Sequence, residues 1–276
     1  MSRLTIIQQL TDRWVNDDTL LCVGLDPDPA RLPPGYDATP DGLFEFCAAV
    51  VDATADLVCA FKPQIAYFSA LGGEAALQGL IDHVHRHHPG VPVILDAKRG
   101  DIGDTAKRYA VEAFERYDAD AVTVNPYLGP ESVEPFLEYR DRGVFVLCRT
   151  SNPDSAWLQN HPADDPVFLR VASAAAGWNA HGNVMLVAGA TYADDLARIR
   201  AAAPDLPLLV PGIGAQGGDL DAVLAAGLDR HGRGLVINAS RSVLYAAGED
   251  HAAAARGAAQ ALRDAIRQGA AAAAHA

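Results

Sequence analysis

Cysteine is scarce, with four in 276 residues, at Cys22, Cys47, Cys59 and Cys148. They have neither the paired spacing of a zinc site nor the density of a disulfide scaffold, so they read as apolar core residues in a reducing compartment. Positive charge is also in deficit. The 22 Lys and Arg stand against 35 Asp and Glu, a formal net charge of −13, which argues against a broad nucleic-acid surface. A few focused cations can still define a pocket for an anionic small molecule. No apolar run is long enough to cross a bilayer and no signal peptide precedes Trp14, so a cytoplasmic chain without membrane attachment is expected. No internal repeat stands out. The proline-containing stretches 29–35 and 151–155 read as loops, not as linkers between domains.

What is present is apolar mass in short, regularly spaced runs. Half of the residues are hydrophobic, enough for a sizeable core, and length alone allows one large α/β domain or two smaller ones. Buried-strand patterns occur at 20–25, 57–61, 91–95, 121–124, 143–147, 184–187, 206–210 and 234–237. Between them lie helical patterns at 44–55, 74–87, 105–117, 131–139, 166–179, 192–203 and 218–227, then a short turn at 241–244 and a long helix at 251–266. Leu4, Ile7, Leu10 and Trp14 add an amphipathic helix at 2–15. This alternation predicts a single (β/α)8 TIM-barrel domain over 1–276, with an added N-terminal helix and a frayed tail at 269–276. Asp26, Lys62, Asp96, Asn125, Arg149 with Thr150, Gly189, Gly212 and Asn238 fall at or just beyond the strands' C-terminal ends, where a barrel gathers its pocket.

The third strand ends in Ile94-Leu95-Asp96-Ala97-Lys98-Arg99-Gly100-Asp101-Ile102-Gly103-Asp104-Thr105. Alternation by two places Asp96 and Lys98 on one face, at the mouth of an apolar interior. That is a candidate reaction centre, although a structural ion pair gives the same spacing. Gly100 and Gly103 permit a tight exit, and Asp101 or Asp104 is positioned to cap the next helix. His83, His85, His87 and His88 sit near a helix end without a supporting carboxylate cluster, and read as a solvated surface. No required metal is expected.

The 96–105 segment resembles the signature of the orotidine 5'-phosphate decarboxylase family. The likeness extends in order through Gly24-Leu25-Asp26-Pro27, Phe61-Lys62-Pro63, Pro211-Gly212-Ile213-Gly214-Ala215-Gln216-Gly217-Gly218 and Asn238-Ala239-Ser240-Arg241, and it is nearest to the longer bacterial branch. It implies conversion of orotidine 5'-monophosphate to uridine 5'-monophosphate and carbon dioxide without a cofactor. Lys62, Asp96, Lys98 and Asp101 would form the charged reaction network, with Lys98 as proton donor. Asp26 would bind ribose, Gly212, Gln216 and Arg241 the phosphate, and Ser151, or else Thr150, the pyrimidine. Asp101, Ile102 and Thr105 would cross into the neighbouring site of a homodimer. The alternatives are a metal-dependent sugar-phosphate decarboxylase or aldolase on the same barrel, and a catalytically silent nucleotide-binding barrel.

Overall fold

The computed structural model describes residues 3–213 and 218–273. Eight parallel strands form the barrel: β1 (Leu21–Leu25), β2 (Ala60–Pro63), β3 (Ile94–Arg99), β4 (Ala121–Val124), β5 (Gly143–Arg149), β6 (Val184–Ala188), β7 (Leu208–Pro211) and β8 (Leu235–Ala239). Hydrogen-bonded order runs β2-β1-β8-β7-β6-β5-β4-β3, and isolated bridges from Phe61 to Val93 and from Gln64 to Asp96 draw the last seam together. Most strands are buried on both faces, which is why they read as unbroken apolar runs in the sequence.

The helices are α1 (Ile6–Asn16), α2 (Pro40–Thr54), α3 (Ile65–Ser69), α4 (Glu74–His87), α5 (Gly103–Val111), α6 (Glu134–Leu137), α7 (Ala156–Gln159), α8 (Val167–Trp178), α9 (Ala193–Ala202), α10 (Leu220–Gly227), α11 (Arg241–Leu244) and α12 (His251–Ala273). Helix α1 starts with a reciprocal box between Thr5 and Gln8. It buries Ile6, Leu10 and Trp14, and Arg13 donates to the carbonyls of Ala55 and Val58. A side chain on Gly143 would overlap Ile6 and Met185, so α1 lies directly against the barrel where β5 begins.

Several boundaries differ from the sequence reading. β2 and β3 lie two to four residues later, so Lys62, Asp96 and Lys98 are strand residues. The 131–139 helix is broken into a 3-10 turn and the four-residue α6, because prolines at 130 and 135 remove backbone donors. α2 begins at Pro40, four residues early, with the Thr39 hydroxyl capping Gly42 N. The tail expected to fray from 269 is helical through Ala273. A side chain on Gly269 would strike Leu224, and Ala270 packs on the core. Neither Asp101 nor Asp104 caps α5, whose N-cap is Ile102 without a side-chain bond. Asp101 instead accepts from Ile102 N.

Candidate active site

At the strands' C-terminal ends a cavity of about 490 Å3 opens, lined at its floor by Asp26, Lys62, Asp96, Lys98 and Thr123. Asp96 is the hub. Its Oδ2 accepts from Lys62 Nζ at 2.9 Å, and its Oδ1 accepts from Lys98 Nζ at 2.6 Å and from the Thr123 hydroxyl at 2.9 Å. Lys62 also stands 3.9 Å from Asp26 Oδ1. Burial favours the uncharged form of Lys62, but Asp96 and Asp26 outweigh it and hold the ammonium's pKa above its ordinary value. Burial likewise pushes Asp96 up, and the two lysines overcome it, leaving this carboxyl well below the usual range. The result is a preorganised arrangement of charge, with Lys62 and Asp96 buried and the Lys98 side chain 47% exposed toward the cavity.

Simple strand alternation does not produce this arrangement. The β3–β4 ladder pairs Leu95 with Val122 and then Arg99 with Val124, so the three residues 96–98 bulge opposite Thr123. Lys98 has a φ of 46°, in the left-handed region that costs a non-glycine residue strain. Thr123 supports the bulge: its hydroxyl accepts from Ala97 N at 3.0 Å and Lys98 N at 2.9 Å while donating to Asp96. One donor and two acceptor positions are thereby all used. Sequence reasoning missed Thr123, although a lone hydroxyl inside the apolar 121–124 run was its visible signal.

Asp26 Oδ1 is buried without a hydrogen-bond partner among the described residues. Such an acceptor is costly unless a donor is supplied. Across the pocket, Asn238 and Ser240 approach β1 so closely that any side chain at Gly24 would overlap the Ser240 hydroxyl. Thr150 and Ser151 both line the cavity. The Thr150 hydroxyl is occupied, donating to Asn152 Oδ1 at 2.7 Å and accepting from Gln159 Nε2 at 2.9 Å. Ser151 keeps its hydroxyl free of the other described residues.

Gly212 and Arg241 line the rim near β7 and β8. Gly212 has a φ of 104°, which requires glycine. Arg241 is exposed and makes no ion pair with the described residues. Gln216 lies outside the described residues.

The pocket therefore brings together Asp26, Lys62, Asp96, Lys98, Ser151, Gly212 and Arg241. Asp101, Ile102 and Thr105 are not among its lining residues. Of the polar strand ends, Asn125, Arg149 and Gly189 do not line it either. Arg149 is buried behind the 150–152 loop, paired with Asp195 at 2.9 Å and stacked 3.9 Å from the Tyr192 ring. Its donation to the Thr150 carbonyl makes it a support for the pocket wall.

Comparison with known proteins agrees with this geometry. The sequence model of the family described as "Orotidine 5'-phosphate decarboxylase / HUMPS family" matches residues 19–258. An orotidine 5'-phosphate decarboxylase of Azoarcus sp. (strain BH72) is 62% identical over 256 residues, covering 92% of this chain and 95% of that protein. One from Dechloromonas aromatica (strain RCB) is 58% identical, covering 95% and 98%. Among solved structures, Leishmania donovani OMP decarboxylase superposes with a TM-score of 0.85 at 42% identity, covering 97% of this chain and 99% of that one. From the barrel, the ordered strand-end residues and these likenesses together, the chain belongs to the orotidine 5'-phosphate decarboxylase / HUMPS family.

Proposed function

We propose that this chain, as one barrel domain over 1–276, decarboxylates orotidine 5'-monophosphate to uridine 5'-monophosphate in pyrimidine biosynthesis, with no cofactor. The observation that carries the reading is Asp96 held between Lys62 and Lys98 on the cavity floor. Substrate binds with its C6 carboxylate toward Asp96. The C6–carboxyl bond breaks, carbon dioxide leaves, and the electron pair remains at C6. The Lys98 ammonium stabilises that developing charge and donates the proton that replaces carbon dioxide. The lysine then recovers a proton from solvent. Lys62 orients Asp96 and contacts the ribose, while Asp26 Oδ1, lacking a donor, accepts from a ribose hydroxyl. Ser151 reads the base, because Thr150 already spends its hydroxyl. Gly212, Gln216 and Arg241 hold the phosphate, and that binding energy helps assemble the site.

The working unit is a homodimer with shared sites. Asp101, Ile102 and Thr105 sit beside the pocket's own acids in sequence yet do not line it, which suits residues that serve a partner's site. Ile102 is 49% exposed, as are Tyr127 at 75% and Leu128 at 47% on the adjoining loop after β4. The two loops meet where Gly100 packs against Asn125. An apolar strip of this kind fits an interface between copies. The four free, buried thiols suit a reducing cytoplasm, and among the described residues no helix is long and apolar enough to cross a membrane.

A sugar-phosphate reaction on the same barrel is the second reading, since the family description covers both branches. Against it, both acids of the pocket floor face Lys62, so a divalent ion seated between them would meet an ammonium. Chelator-treated protein mixed with orotidine 5'-monophosphate should consume the substrate's absorbance and release carbon dioxide. Turnover of a ketose phosphate with added magnesium, and none of the nucleotide, would reverse the ranking.

A further inference from the structure

The histidine run of α4 does not stand alone in three dimensions. Asp52, two residues before the end of α2, accepts from His83 Nε2 and His88 Nε2, each at 2.7 Å and each on the same oxygen, Oδ1. His85 points elsewhere and pairs with buried Asp120 at 2.9 Å. Among the described residues, Asp52, His83 and His88 are the one group of three such side chains whose ligand atoms all lie within 4.8 Å of one another.

We propose that these three residues form a binding site for a zinc-class divalent ion. The site joins the C-terminal ends of α2 and α4 on the barrel face opposite the reaction pocket. Two imidazoles and one carboxylate are the donor set of late first-row ions, with water completing the shell. Both helices end here, so their partial negative ends favour a cation at this place. The imidazoles are largely covered, with 17% and 22% of their side chains exposed, while Asp52 is 53% exposed. Rings held in place beside an open carboxylate combine preorganisation with an entry path. The Phe44 ring meets His83 edge-on, and His87 lies 4.5 Å from it.

Ligands of a tetrahedral ion at about 2.0–2.1 Å lie about 3.3 Å apart. The two ring-to-carboxylate distances of 2.7 Å need to open by about half an ångström, which rotation of the exposed Asp52 side chain supplies, and the two ring nitrogens lie within 4.8 Å of each other. Each ring would coordinate through its Nε2 lone pair, carrying its proton on Nδ1. An ion here would act as a clamp between two helices, remote from Lys98 and outside the reaction.

The test uses the full chain, stripped with chelator and dialysed, then titrated with zinc chloride by calorimetry and with cobalt(II) by visible absorption. One equivalent should bind, giving the absorption of a low-coordinate cobalt site and raising the thermal midpoint by linkage. Asp52→Asn, His83→Gln and His88→Gln should each weaken binding by at least about tenfold, with circular dichroism unchanged, while His231→Gln should bind like the parent chain. Absence of stoichiometric binding overturns the proposal. So does equal affinity in folded His83→Gln and His88→Gln, because any ion then sits elsewhere.

Discussion

The Thr123 hydroxyl donates to Asp96 Oδ1 at 2.9 Å, although the two residues lie on different strands and are 27 positions apart. Thr123 Oγ1 also accepts from the Ala97 and Lys98 amides in the bulge, so one side chain fixes both the carboxylate and the backbone of the lysine. Thr123→Val keeps the shape and removes every one of these bonds. It should cost about 1–3 kcal/mol of stability and lower kcat by about 10- to 100-fold, the scale of a small misplacement of reacting groups. Thr123→Ser should restore most of both. Urea melts beside steady-state kinetics check this, and a Val variant with full kcat would show that the bulge holds itself.

The Asp96 and Lys62 pair makes stability depend on pH in a calculable direction. Asp96 is held below its ordinary 3.8, so its contribution is complete above that value and drains away as pH falls through the lower folded pKa. Lys62 is held above its ordinary 10.5, so its contribution is complete below 10.5 and is lost as pH rises through the folded value. At neutral pH, Asp96→Asn should lose about 3–5 kcal/mol, because it leaves a buried ammonium short of its partner. Its unfolding free energy should also flatten at acid pH relative to the parent. Parallel curves between pH 7 and 2 would contradict the pairing.

Arg241 gives a prediction that separates recognition from folding. Its free fork at the rim should make charge-assisted phosphate contacts, so Arg241→Ala should reduce kcat/KM on the nucleotide by roughly 10- to 1000-fold. On the nucleoside, which lacks phosphate, the penalty should shrink sharply. Equal penalties on both substrates would refute the phosphate role.

The proposed sharing of sites between two copies can be tested by complementation. Lys98→Ala and Asp101→Ala homodimers should each be nearly inactive. A heterodimer of the two, isolated by co-expression with different tags, carries one doubly damaged site and one intact site. It should show about half of parental activity. An inactive heterodimer of correct mass would rule out a partner-donated Asp101.

Much of this was legible in the sequence, and the rest was hidden for identifiable reasons. The strand runs announced the barrel because parallel strands buried on both faces leave continuous apolar segments; Asp26, Lys62 and Asp96 were placed at the pocket by their positions at strand ends, and Arg241 by the family resemblance. The bulge at 96–98 was not legible: it depends on register against β4, and no local pattern records the absence of a ladder partner. Alternation put Lys98 on the correct face for an incomplete reason. Arg149 looked like a pocket residue by position, but its partners Asp195 and Tyr192 come from the neighbouring loop and helix. His83 and His88 looked solvated because their carboxylate lies 31 and 36 residues away on another helix.

The most direct test of the central claim is turnover of orotidine 5'-monophosphate by Lys98→Ala beside the parent chain, with fold and assembly verified by circular dichroism and solution mass. In the proposed assignment Lys98 supplies both the charge opposite C6 and the proton, so the parent should convert substrate to uridine 5'-monophosphate and carbon dioxide while the variant falls by about three orders of magnitude or more. Parental turnover by the folded variant would contradict the account.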